Sequence, residues 1–193
     1  MLFTLTALLL PRQPLELERR WAAWMHDIEG SLLTHVALVF NFLGRGIGRA
    51  LVLATIGFVL VVLRRWWALL AFALTEAVTP LLSSTVKALT DRPRPSGSLV
   101  HAAGSSFPSG HAAFAGATCA ALVLLFTTPG PRRRLWWTLA AVGIGAMAWS
   151  RTYLQVHWLL DVVGGSLLGA GVALVAFAGA QLLRPPRPRR HES

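Results

Sequence analysis

Charge is almost entirely shut out of the long apolar runs of this chain, and that segregation limits the fold more than any other feature. A bilayer offers no water to backbone N–H and C=O groups, so a spanning apolar segment of about 20 residues closes its hydrogen bonds as a helix. Four segments meet that demand: roughly Trp66 to Val86, Ser109 to Thr128, Leu135 to Ser150 and Trp158 to Leu183. A fifth, from about Ile47 to Leu63, is shorter but uniformly apolar. Ahead of it, Leu15 to Leu43 reads as one or two amphipathic helices with a polar start. The expected fold is therefore all-α, a polytopic transmembrane bundle of five clear spans with a sixth left open. Composition agrees: 54% of the 193 residues are hydrophobic and 13% charged, against roughly 25% charged in soluble domains.

The formal net charge of +10 raises the question of nucleic acid. The basic residues, nearly all arginine, stand in short clusters between apolar runs instead of forming one stripe, so no nucleic acid is expected. Arg64 and Arg65 occupy one turn, Arg132 to Arg134 another, and Arg184, Arg187, Arg189 and Arg190 follow the last run. Cytoplasmic loops gather such charge, which places these clusters inside, with Trp66-Trp67 and Trp136-Trp137 as interfacial anchors. A single membrane domain over residues 1–193 is expected, with an amphipathic N-terminal region (residues 1–45), core helices (46–183) and a basic tail (184–193). Met1 to Leu10 is apolar but short, an interfacial anchor or the remnant of a helix.

The same topology puts Lys87 to Pro108 and Arg151 to His157 on the outer face of a plasma-membrane protein. Lys87, Arg92 and Arg94 lie there against the charge rule, and an anionic ligand would account for them. Three pieces converge on this face. Lys87, the only lysine, opens the run Lys-Ala-Leu-Thr-Asp-Arg-Pro-Arg94-Pro95. Pro108-Ser109-Gly110-His111 stands where a helix N-terminus exposes unpaired N–H groups, a ready anion site, with His111 in its first turn. Gly110 admits close approach of a ligand to the backbone. In Ser150-Arg151-x5-His157-x3-Asp161, His157 and Asp161 share a face if helical. The carboxylate can then hold one ring nitrogen and leave the other free to attack. Asp161 is the only acid between Asp91 and Glu192, and an ionisable residue just inside a membrane helix points to function. Alone, each piece also has an ordinary reading: a snorkelling cluster, a serine N-cap, a structural His–Asp pair. Half a metal site is the poorest reading, since no further ligands accompany the pair.

Taken together and in this order, the pieces resemble the signature of the type 2 phosphatidic acid phosphatase (PAP2) superfamily: Lys-x6-Arg-Pro, Pro-Ser-Gly-His and Ser-Arg-x5-His-x3-Asp. Lys87 to Arg94-Pro95 has the first spacing; Arg92-Pro93 does not. The resemblance implies a lipid phosphate phosphatase that uses neither metal nor cofactor. His157 would attack phosphorus to give a phosphohistidine, with Asp161 holding its ring. His111 would protonate the leaving oxygen and then activate water. Lys87, Arg94 and Arg151 would hold the phosphoryl oxygens, helped by Ser109 and the Gly110 N–H. Polyprenyl diphosphate, phosphatidylglycerol phosphate and phosphatidic acid are all candidate substrates. Gln155 departs from the family's frequent glycine and Leu159 from its frequent proline, changes that bear on the loop before His157.

Two other functions stay open: a lipid phosphotransferase on the same scaffold, and a non-enzymatic anion transporter, which would distribute its charges across the membrane depth. Glu76 lies mid-span, and Arg49 of the neighbouring helix is its expected partner. Cys119 is expected to be a small buried residue and His101 a solvated loop histidine.

Overall fold

Residues 12–183 are described by a computed structural model containing seven helices and, among those residues, no strand. They are α1 (Glu16–Asp27), α2 (Ser31–Leu43), α3 (Gly46–Val62), α4 (Trp66–Thr90), α5 (Gly110–Phe126), α6 (Pro131–Tyr153) and α7 (Leu159–Leu182). The expectations for Met1 to Leu10 and for the tail from Arg184 fall outside the described residues. Each of the five apolar runs forms a helix, yet only α4 and α7 are by themselves long and apolar enough to cross a membrane. The α2–α3 pair, bent by 61° at its break, qualifies when taken as one span. At 17 residues each, α3 and α5 reach about 25 Å, less than a bilayer's hydrocarbon thickness. Three arginines occupy the first turn of α6.

The bundle is organised around α5, which is apolar on all sides and buried along most of its length, as a helix hydrophobic all round must be. Small residues let α7 lie against it backbone to backbone. A Cβ on Gly169 would stand 1.9 Å from the Ala113 carbonyl oxygen, and one on Gly165 2.4 Å from that of Ser109. The Gly165-xxx-Gly169 spacing keeps both on one face, the arrangement that brings membrane helices closest. This approach fixes the N-terminus of α5 against that of α7, where the Ser109 N–H donates to the Asp161 carbonyl at 2.9 Å.

At one end of the bundle, Arg65 donates to the Leu125 carbonyl and stacks over Phe126. The chain segments 87–111 and 150–161 meet at the other. The α1–α2 turn is anchored beside the latter by Tyr153, whose fully buried hydroxyl accepts from Gly30 N–H at 2.9 Å and lies 3.0 Å from Thr34 Oγ1. Helix α4 continues through Pro80. Just before it, Glu76 accepts from Thr118 at 2.8 Å and lies 3.6 Å from Arg49, the pairing expected from sequence.

Candidate active site

Lys87 sits in the last turn of α4, where its Nζ donates to the Ser105 carbonyl at 2.8 Å. Arg94 reaches the same carbonyl at 3.3 Å from the following loop. Its guanidinium also donates to Gly104 at 3.1 Å, Ala103 at 3.0 Å and Val156 at 2.7 Å. This web holds Arg94 beside His157, 3.4 Å from Nε2. A guanidinium cannot accept a hydrogen bond, so Nε2 meets it with its lone pair and the ring proton belongs on Nδ1. Nδ1 faces Asp161 Oδ2 at 3.5 Å. Burial pushes the His157 pKa down from 6.5 to about 4; Asp161 opposes the shift, while Arg94 and Lys87 add to it. The ring is thus neutral at physiological pH. Burial likewise lowers the pKa of Arg94, with Asp161 again opposing.

His157 is not on the helix that carries Asp161. It lies in the turn before α7, which begins at Leu159, so the sequence expectation of a shared helical face is corrected. Asp161 is the third residue of α7, and its Oδ2 accepts the Trp158 N–H at 2.8 Å. That capping bond closes the turn and brings the carboxylate back toward His157. The turn also contains Gln155 at φ +52°, the left-handed region that glycine adopts most readily. There the side chain does what glycine could not: its amide donates to the Ala22 carbonyl of α1 at 2.9 Å.

His111 lies in the first turn of α5, as expected, with Nε2 3.3 Å from the Asn41 carbonyl. The Asn41 side chain accepts from Arg151 at 2.7 Å, so one residue at the end of α2 touches both. Arg151 is buried, and its Nε has no hydrogen-bond partner among the described residues. Ser109 is fully buried and caps α5, its Oγ accepting from Ala112 N–H at 3.5 Å, while Gly110 is exposed. A cavity of about 260 Å³, lined by Arg49, Ser83, Lys87, Gly110 and His111 among others, opens beside this turn. Gly44, at the α2–α3 break, abuts the His111 ring, and a Cβ there would stand 2.2 Å from Cδ2. Gly44→Ala must therefore push the imidazole aside. Any reaction that uses His111 is expected to slow about 10–100-fold in this variant, the scale of a 1 Å misplacement.

All eight site residues expected from sequence (Lys87, Arg94, Ser109, Gly110, His111, Arg151, His157, Asp161) gather at this end of the bundle. Arg92 does not join them as a ligand for anions. It is 2% exposed and lies between two carboxylates, donating to Asp161 at 2.5 Å and Glu18 at 2.6 Å. Those ion pairs answer its charge without any ligand, and they hold its pKa up against the effect of burial. Sequence reasoning misses Glu18 and Asn41. Glu18 looks like an ordinary acid in the first turn of an amphipathic helix, and nothing local distinguishes Asn41.

A family model described as the PAP2 superfamily matches residues 64–184. An undecaprenyl-diphosphatase of Sulfolobus acidocaldarius is 37% identical over 71 residues, covering 37% of this chain and 32% of that protein. Phosphatidylglycerophosphatase B of Bacillus subtilis is 32% identical over 111 residues, 55% of each chain. The chain thus spans a third to about half the length of these curated relatives. Among solved structures, a transmembrane PAP2 type phosphatidylglycerolphosphate phosphatase from Bacillus subtilis superposes with a TM-score of 0.78 at 24% identity, over 88% of this chain and 87% of that one. LpxE of Aquifex aeolicus does so at 0.71 and 21% identity, over 85% and 96% respectively. Both likenesses show a shared fold.

Proposed function

The chain belongs to the PAP2 superfamily, and from that premise we propose that it is an integral-membrane lipid phosphate phosphatase working through a phosphohistidine, without metal. The observation that carries the reading is the state of His157. Its Nδ1 is backed by Asp161 and its Nε2 lone pair points toward Arg94, so the nucleophilic nitrogen faces the basic side of the site. Lys87, Arg94 and Arg151 supply charge for the equatorial phosphoryl oxygens, and the Arg151 Nε, without a hydrogen-bond partner among the described residues, is a donor for one of them. Phosphoryl transfer needs this positioning and charge compensation above all.

In the first step Nε2 forms a bond to phosphorus, the bond from phosphorus to the leaving oxygen breaks, and His111, entering as the imidazolium with the anionic phosphate bound beside it, gives that oxygen a proton. In the second, His111 takes a proton from water, whose oxygen displaces His157 and releases phosphate. The Gly110 N–H, at the positive end of α5, faces the same oxyanion. The whole chain forms one membrane domain of five spans or six, α2–α3 making the bent one. With Arg64, Arg65 and Arg132 to Arg134 cytoplasmic, the site opens outward. Polyprenyl diphosphates, phosphatidylglycerol phosphate and phosphatidic acid are the candidate substrates, the first two in keeping with the names of the relatives.

Purified protein in detergent micelles, assayed against these three lipids in EDTA, tests the proposal. Inorganic phosphate and the dephosphorylated lipid are the expected products, and orthovanadate is expected to inhibit as a mimic of the pentacoordinate phosphorus. Transfer of the phosphoryl group to an alcohol with no free phosphate would make the chain a phosphotransferase. A folded protein inert toward all three lipids would overturn the assignment.

A further inference from the structure

Helix α1 lies outside the segment matched by the family model, which begins at residue 64, yet it sends one carboxylate into the charged centre. Glu18 is 1% exposed, and its two oxygens serve three donors. Oε2 accepts from Arg92 Nη2 at 2.6 Å and from Leu15 N–H at 2.9 Å, and Oε1 accepts from Leu160 N–H at 3.0 Å. Leu160 is the residue before Asp161. Arg92 in turn gives its other amino group to Asp161 Oδ1 at 2.5 Å. A continuous line of contacts therefore runs from Glu18 through Arg92 and Asp161 to His157, with every member at most 5% exposed.

Charge counting gives this line a purpose. Asp161 paired with Arg92 alone would be a neutral couple, a weak partner for an imidazole that must carry positive charge once phosphorylated. A second carboxylate on the same guanidinium leaves the trio with net −1, and that charge faces His157. The other charged or titratable groups around His157 are Arg94 and Lys87, both cationic, with His111 across the site. Among the described residues, Asp161 is thus the one source of negative charge on the ring, and its strength depends on what Arg92 has left to give.

We propose that Glu18 is a positioning residue for the nucleophile: it divides the charge of Arg92 so that Asp161 stays anionic toward His157, and it holds the first turn of α7, which carries Asp161, through the Leu160 N–H. The proposal rests on His157 as nucleophile, and the two can fail separately. Full activity in His157→Ala would remove the nucleophile, whereas an indifferent Glu18→Gln would remove only this role.

The test uses full-length protein in micelles with dioctanoyl phosphatidic acid and farnesyl diphosphate as probes. Glu18→Gln, nearly isosteric, is expected to lower kcat about 10–100-fold while KM changes less than about threefold, the pattern of lost transition-state support. With the trio neutral, protonated His157 loses its counter-charge, so the acidic limb of kcat/KM is expected to move to lower pH. Glu18→Gln combined with Arg92→Gln restores net −1 and is expected to bring the limb back toward wild type. A merely structural Glu18 predicts no movement of the limb and a double variant at least as impaired as either single one. Those results, or wild-type kcat in Glu18→Gln, would overturn the proposal. If Glu18→Gln does not fold, Glu18→Asp decides: the charge is kept, so the limb should stay in place while kcat falls. Movement of the limb in that variant would count against the role.

Discussion

His157→Ala is expected to reduce hydrolysis of every substrate lipid to about 10⁻³ of wild type or less, the scale seen when a covalent nucleophile is removed. The loss should fall on kcat. In the proposed mechanism lipid binding rests on the apolar helices and on Lys87, Arg94 and Arg151, none of which needs the imidazole to stay in place. Arg94 in particular keeps four carbonyl partners, at Ala103, Gly104, Ser105 and Val156. Rapid quenching of wild type with radiolabelled substrate should capture a phosphoryl label that survives alkali and is lost in acid. The variant should capture none. A His157→Ala enzyme that still takes up label, or turns over at near the wild-type rate, would refute the mechanism. The protonation state supplies an independent check. Because burial holds the His157 pKa at about 4, the attacking form is the neutral ring above that pH and is lost as pH falls through it. The acidic limb of kcat/KM is thus expected near pH 4, well below the 6.5 of a free imidazole.

Arg92→Met is expected to cost about 3–5 kcal/mol of stability, the range for stripping one partner from a buried ion pair. Glu18 and Asp161 would be left as two carboxylates sharing a desolvated space, each at most 1% exposed, with their common counter-ion gone. Removing Glu18 instead leaves Arg92 and Asp161 as a matched pair, so Glu18→Gln should be milder than Arg92→Met. For a chain of this size the loss corresponds to a fall in Tm of roughly 6–20 °C, measurable by thermal denaturation in micelles. Equal Tm for Arg92→Met and wild type would mean that the buried trio bears no weight in the fold. Replacing all three by apolar residues need not destabilise, since buried ion networks often only balance their desolvation.

Much of the molecule is legible in its sequence. Helices follow from the apolar runs because a segment without water has no other way to satisfy its backbone. Matched to the family signature, the Lys-x6-Arg-Pro spacing selects Arg94, not Arg92, as the site arginine, and the structure places Arg94 beside His157. The Pro-Ser-Gly-His turn is a helix start in both, since Ser109 caps α5 and His111 follows in its first turn. The pairing of Glu76 with Arg49 follows from the cost of a lone acid at mid-span. Two expectations are corrected. The i, i+4 spacing of His157 and Asp161 suggests a helix where there is a turn closed by the Asp161 cap. Arg92 looks like a contact for a ligand, although two carboxylates of the chain itself hold it.

What the sequence settled by itself was everything governed by neighbours along the chain: which segments are apolar enough to become helices, where they start, which basic and histidine side chains share one end, and the family these spacings mark. Tertiary structure alone decided how the buried charges are shared. Arg92 meets Asp161 across 69 positions and Glu18 across 74, and Arg151 meets Asn41 across 110. No periodicity or local motif encodes such partners. They are selected when helices dock and each desolvated ion takes the counter-ion or polar side chain that packing brings within reach.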